Sequence, residues 1–125
     1  MGQKFLIDTN ILIDFQTKRI PQSGLDFVAD AIDDTFIISF VSYIEFLGYK
    51  NVTKAMEDFI SIAETIEINK AIINQTVLIR KANKISFADA VIAATAMVHN
   101  LTLLSHNAKD FKKIRGLRII DPHNI

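Results

Sequence analysis

Cysteine is absent from this chain of 125 residues. That excludes a disulfide framework, a thiolate zinc site and a thiol nucleophile, and it suits a reducing, cytoplasmic setting. Net charge is missing too: 14 Lys+Arg balance 14 Asp+Glu, which argues against a general nucleic-acid binder. No long apolar run is present. The longest apolar-rich stretch, Ala88 to Val98, is interrupted by Asp89 and Thr95 and is too short and polar to cross a bilayer. Asp8 breaks the N-terminal apolar run before a signal-peptide core can form. Leu6 stands where a myristoylation signal needs Ser or Thr. Repeats, low-complexity tracts and long linkers are also lacking. What is present is hydrophobic material, 50% of residues. A chain of this length buries roughly two-thirds of its unfolded surface, so one domain spanning residues 1–125 is expected.

The charges are unevenly spread. Residues 1–68 hold eleven acids and five bases, a net −6, and residues 69–125 hold three acids and nine bases, a net +6. Such asymmetry can build a local basic face, unless folding interleaves the two halves.

Apolar periodicity predicts strands alternating with helices. Strands are expected at Lys4–Ile7, Thr35–Phe40, Thr65–Ile68, Leu101–Leu104 and Leu117–Ile120. Helices are expected at Asn10–Lys18, Leu25–Ile32, Val41–Tyr49, Thr53–Ala63, Lys70–Ala82 and Ser86–His99, with a helical turn at Asn107–Lys113. Pro21, Ser23 and Gly24 read as a break. The alternation implies a parallel sheet with helices on both faces. Ligands bind such sheets at the carboxyl ends of the strands.

Four motifs put acids or amides against apolar segments: Asp8 after the first strand, Glu45 in the helix after the second, Asp89 at the start of the Ser86 helix, and Asn107/Asp110 after Leu101–Leu104. Carboxylates beside a core are costly unless something pairs with them, and Mg²⁺ is one such partner. Ordinary roles also exist. Asp8 could cap the next helix. Asp89 could complete a capping box with Ser86. Asn107 and Asp110 could be loop residues. The apolar neighbours Tyr43, Ile44, Phe46 and Leu47 leave Glu45 little room for an exposed face.

In order and spacing the chain resembles the PIN-domain family. The motifs are Asp8-Thr9-Asn10, Ser42-x-x-Glu45-x-x-Gly48, Asp89-Ala90-x-Ile92-Ala93-Ala94-Thr95-Ala96 and Leu104-Ser105-x-Asn107-x-x-Asp110-Phe111. Within that family it is most similar to the VapC-type toxins of prokaryotic toxin–antitoxin pairs. The resemblance implies a three-layer α/β/α sandwich and an endoribonuclease dependent on Mg²⁺ or Mn²⁺. It also implies a homodimer neutralised by a cognate antitoxin that lays a helix or extended segment over the acidic groove. By position, Asp8 and Asp89 would hold the metal, and Glu45 would bind it directly or through water. Asn107 falls where many relatives have Asp, with Asp110 one turn on, so either could complete the site. Thr9, Asn10 and Ser105 would orient the carboxylates.

That chemistry needs a divalent ion to stabilise phosphoryl charge and activate water, with Glu45 or Asp110 taking the proton. Clustered carboxylates repel, so without metal at least one should have a raised pKa. RNA needs a cationic approach, for which Arg80, Lys81, Lys84, Lys109, Lys112 and Lys113, with Arg115, are the candidates. His99, His106 and His123 read as structural or surface residues, with His106 nearest the site. The aromatic residues Phe27, Phe36, Phe40, Tyr43, Phe46 and Tyr49 exceed what a small core needs and suggest a dimer. Two other readings are a Mg²⁺-dependent phosphatase or phosphotransferase, for which Asn10 is the wrong residue two positions after Asp8, and an inactive interaction module, which Asn107 would suit.

Overall fold

A computed structural model describes residues 2–125. Strand β1 (Phe5–Ile7) leads into helices α1 (Thr9–Gln16) and α2 (Gln22–Asp34). Strand β2 (Ile37–Ser39), helices α3 (Phe40–Leu47) and α4 (Lys54–Ser61) and strand β3 (Glu64–Ile66) follow. Then come α5 (Lys70–Ala82), α6 (Phe87–Val98), β4 (Thr102–Leu104), the single turn α7 (Ala108–Phe111) and β5 (Ile119–Ile120). A 3-10 turn, Pro122–Asn124, closes the chain.

The strands pair in parallel, β1 with β4, β4 with β5, and β2 with β3. β2 also lies beside β1. The backbone ladders thus form a three-stranded sheet, β1-β4-β5, whose carboxyl ends share one edge, and a two-stranded one, β2-β3, set against it with β2 beside β1. Alternate side chains point to opposite faces of a strand, and here they supply two separate cores. Leu6, Ile37 and Leu103 pack against Ile72 and Ile79 of α5 and the buried run Ala90–Ala94 of α6. Ile7, Ile38 and Leu104 pack against α1 through Ile11 and Leu12, α2 through Val28, α3 through Phe46 and α4 through Ile60. This is the expected three-layer α/β/α sandwich. Truncating any such fully buried Leu or Ile to Ala would cost about 2–5 kcal/mol. No helix among the described residues is long and apolar enough to cross a membrane.

Side-chain caps set the helix starts. Ser39, Thr53, Asn69 and Ser86 each accept a backbone N–H from three residues on, at 3.2, 3.1, 2.9 and 3.2 Å. The Ser39 cap explains one departure from the expected boundaries: Phe40 opens α3 instead of ending the second strand. Gly24 is another. It lies inside α2, not in a break, at the point where the helix passes so close to the C-terminal turn that no side chain fits. A Cβ on Gly24 would sit 2.0 Å from the Pro122 carbonyl oxygen. The aromatic surplus is mostly internal: Phe36 and Phe46 are buried and gather with Phe15 around Phe59, at centroid distances of 4.9–6.1 Å. Phe27 stacks edge-on against Phe5 at 5.3 Å. Of the six aromatics read as a dimer surface, only Tyr43 counts as exposed.

Gly24→Ala should therefore displace the Pro122–Asn124 turn. Overpacking of this kind costs about 1–3 kcal/mol, and differential scanning fluorimetry should show Tm lower by on the order of 5–10 °C.

Candidate active site

The parallel register places the first acid. Ile7 is opposite Leu104, so Asp8 and Ser105 leave the sheet side by side. The Asp8 N–H extends the ladder to the Leu104 carbonyl at 2.9 Å, and Ser105 N–H does the same to Ile120 at 3.1 Å. Asp8 is only 4% exposed. Its Oδ1 accepts the Thr9 N–H at 2.8 Å, which caps α1. Its Oδ2 accepts the hydroxyl of fully buried Ser105 at 2.7 Å. The capping role and a functional role thus fall on one residue.

The other acids converge on Asp8 from different elements. Glu45, on α3, accepts the Thr9 hydroxyl at its Oε1, 2.6 Å away. Asp89, in the first turn of α6, donates its backbone N–H to the Ser86 hydroxyl. The reciprocal bond of a capping box, from Ser86 N–H to the Asp89 carboxylate, is not made among the described residues. Instead Asp89 Oδ2 accepts the Asn107 amide Nδ2 at 3.3 Å. Asn107 N–H in turn donates to Ser105 Oγ at 3.0 Å. Ser105 therefore links the Asp8 carboxylate to the loop that holds Asp89. Asp110, on α7, lies close enough for its charge to act on Asp89.

Burial and mutual repulsion show in the protonation equilibria. Burial raises Asp8 from 3.8 to about 6, with added pushes from the charges of Asp89 and Glu45, against the lowering effect of the Ser105 and Thr9 bonds. Burial also raises Asp89, helped by Glu45 and Asp110, while Ser86 and Asn107 hold it down. The expectation of a raised carboxylate is met twice. One expectation about α3 is corrected: Ile44 is 64% exposed and Tyr43 37%, so Glu45 stands on a solvent-facing side of the helix. Only Ser42 and Phe46 of α3 are fully inside.

The remaining sequence candidates divide. Asn10 does not face the acids with its carboxamide oxygen, which accepts the His106 N–H at 3.2 Å and so fastens the loop after β4. All six lysines and arginines named as an RNA approach are exposed. Lys113 Nζ donates to the Lys84 carbonyl at 2.5 Å, which joins the two basic segments. The Arg80 guanidinium lies 6.0 Å from the Phe87 ring centre. The pairing of His106 with Asp121 and of His123 with Asp14 is not apparent from the order of residues. The run Asp121-Pro122-His123 was its one visible sign, because an Asp before Pro often caps a turn.

These features define a parallel α/β/α protein with an acidic centre at the carboxyl edge of its sheet. Residues 5–117 match the family model of the PIN domain, and the chain belongs to that family. It is 31% identical over 126 aligned residues to Ribonuclease VapC1 of Methanocaldococcus jannaschii, covering 94% of this chain and 88% of that protein. Among solved structures it is similar to a toxin–antitoxin complex from Klebsiella pneumoniae, at 30% identity and TM-score 0.78, covering 98% of this chain and 100% of that one. It is also similar to VapBC2 from Rickettsia felis, solved bound to a promoter DNA fragment. There identity is 25% and TM-score 0.79, over 95% of this chain and 98% of that one.

A buried acid with a raised pKa makes stability pH-dependent. The folded state holds the Asp8 proton more tightly than the unfolded state. The resulting stabilisation is complete below about 3.8 and is lost as pH rises through about 6. Above that, ionised Asp8 costs on the order of 2–3 kcal/mol in the absence of a cation. In chelator, Asp8→Asn should melt close to wild type at pH 4 and clearly above it at pH 7. A Tm difference that does not grow over that interval would contradict this account of Asp8.

Proposed function

We propose that this protein is a divalent-metal-dependent endoribonuclease and the toxin of a toxin–antitoxin pair, acting in the cytoplasm. The observation that carries the reading is the Asp8 carboxylate, held at both oxygens, with its pKa raised first by burial and then by the charges of Asp89 and Glu45. A protein keeps such a group only if something offsets its charge. The donor set is entirely oxygen, which suits Mg²⁺ or Mn²⁺. No group of three or more acid or histidine side chains among the described residues is gathered closely enough to hold an ion by itself, so an ion here would be held by one or two carboxylates and complete its shell with water. Similarity to a protein named a ribonuclease supports RNA as the substrate.

In this reading Asp8 and Asp89 hold the ion. Bound there, it would stabilise phosphoryl charge and make water easier to deprotonate. Ser105 and the Thr9 N–H fix the orientation of Asp8. The Thr9 hydroxyl occupies Glu45 Oε1, leaving Oε2 to take the proton of the attacking water. That water adds to phosphorus, one backbone P–O bond breaks, and the leaving oxygen takes a proton from solvent. In the same reading Asn107 acts as a neutral donor that steadies Asp89, and Asp110 supplies the fourth negative charge. The basic segments joined by Lys113 and Lys84 guide the phosphate backbone.

The structures of VapBC2 and of the Klebsiella complex support an antitoxin partner for this chain as well. A homodimer belongs to the same reading, with a surface different from the one composition suggested. Val77 on α5 and Phe87 on α6 are both exposed apolar side chains. Val77 and Phe87 line one shallow depression with Thr76. Light scattering at micromolar concentration should give a dimer mass, and Val77→Asp with Phe87→Asp should reduce it to the monomer. A wild-type monomer would refute the dimer.

Purified protein should cut total cellular RNA in Mg²⁺ or Mn²⁺ and not in chelator. Asp8→Asn and Asp89→Asn should each lower the rate at least about 100-fold, and Asp110→Asn about tenfold. Divalent ion should raise the Tm of wild type but not of Asp8→Asn. Intact RNA with cleavage of small phosphate esters would instead favour a phosphatase. No metal response and no cleavage would favour an inactive module.

A further inference from the structure

Two histidines that the catalytic reading does not use form a built feature on the rim of the acidic centre. The rings of His106 and His123 are stacked, with centroids 3.8 Å apart and planes inclined by 35°. His106 Nδ1 meets Asp121 Oδ2 at 3.0 Å. His123 Nε2 meets Asp14 Oδ2 at 2.9 Å, across to α1. Asp121 also accepts the His123 N–H at 2.9 Å and so fixes the turn that carries that ring. The two rings differ in exposure. The His123 side chain is 16% exposed, whereas that of His106 is 52% exposed. One face of His106 is thus backed by a second ring, one edge is anchored on a carboxylate, and the rest faces solvent. Its main chain is pinned as well, through His106 N–H to Asn10 Oδ1 at 3.2 Å. The preceding residue, Ser105, touches the Asp8 carboxylate.

We infer that His106 is a stacking platform for an unpaired nucleobase of the RNA strand, positioned beside the phosphate that the acids address. The inference rests on the nuclease reading above and assigns that site a base contact. A purely structural tie between the C-terminal turn and α1 needs only His123 and Asp14. It does not need a second ring pre-oriented with an open face. Single-stranded RNA is recognised largely by stacking splayed bases on aromatic rings, histidine included. Such stacking is sequence-tolerant, because every base has a π-face. Pre-orientation lowers the ordering cost of the contact, since the ring is already fixed before RNA arrives.

The test uses full-length protein and a defined single-stranded RNA oligonucleotide that the wild type cleaves, with Mg²⁺ or Mn²⁺ present. His106→Ala should raise KM about tenfold while kcat stays within about twofold. His106→Phe keeps a ring and should restore KM to within about threefold of wild type. Abasic substitution scanned along the oligonucleotide should reveal one position that costs the wild type as much as His106→Ala does, and costs His106→Ala nothing further. Unchanged KM in His106→Ala overturns the platform. So does loss of kcat that Phe fails to rescue, which would make His106 a proton-transfer group. Additive abasic losses at every position overturn it too, even if His106→Ala lowers Tm, and would leave a structural role alone. Wild-type protein that cleaves no RNA refutes the nuclease reading and the platform with it. Wild-type cleavage with His106→Ala unaffected refutes the platform only.

Discussion

The hydrogen bond from Ser105 to Asp8 is the contact on which the rest of the site depends. It spans 97 residues of sequence and joins the ends of two adjacent parallel strands at 2.7 Å. A carboxylate that is 4% exposed cannot rely on water for its partners, so protein donors must supply them. Thr9 N–H and Ser105 Oγ do so. Both belong to residues that the sheet register places at the strand ends: one is a backbone N–H and the other the short hydroxyl of a fully buried serine. Removing either donor would leave Asp8 burdened by burial and by two neighbouring charges.

From that bond the network spreads outward in two directions. Through Thr9, whose hydroxyl holds Glu45, the β1 end is tied to α3. Through Ser105, whose hydroxyl accepts the Asn107 N–H, it is tied to the amide that holds Asp89 on α6. Asp8, Glu45 and Asp89 therefore sit on different elements, and each is held by a neutral donor. The arrangement keeps negative charges near one another without direct contact between them. It also accounts for Asn at position 107: a carboxylate there would lose the donor to Asp89 and add one more repulsion to a crowded centre.

Much of the fold was legible from residue patterns. Short apolar runs, expected as strands at Lys4–Ile7 and Leu101–Leu104, announced buried parallel strands, and α5 has the bounds expected of it, Lys70–Ala82, ending at Asn83. What failed to show were effects of contact. Ser39 moved Phe40 into a helix by accepting a bond three residues away. Gly24, which reads as a turn residue, lies in a helix and is glycine because Pro122 leaves no space for a Cβ. Composition counted aromatics but could not tell that Phe36 and Phe46 surround Phe59 inside the second core. In the site, Asp8, Glu45 and Asp89 stood out because acids next to apolar runs are rare. The direction of the Asn107 amide depended on a rotamer, which no spacing reveals.

The same distinction governs the histidines. Read along the chain, His106 and His123 are separated by a helical turn and a strand, and neither lies at a spacing that suggests a partner. Folding brings them together because β5 runs beside β4, which returns the chain after Ile120 to the loop that follows Leu104. The carboxyl edge that gathers the acids thus also gathers the rings. In a parallel sheet this edge collects whatever follows each strand, and the five strands here are only two or three residues long. Short strands bring the loops close to one another. A buried carboxylate and a half-exposed imidazole can then sit on one small rim, the first proposed to hold a cation that meets a phosphate and the second to stack the base beside it.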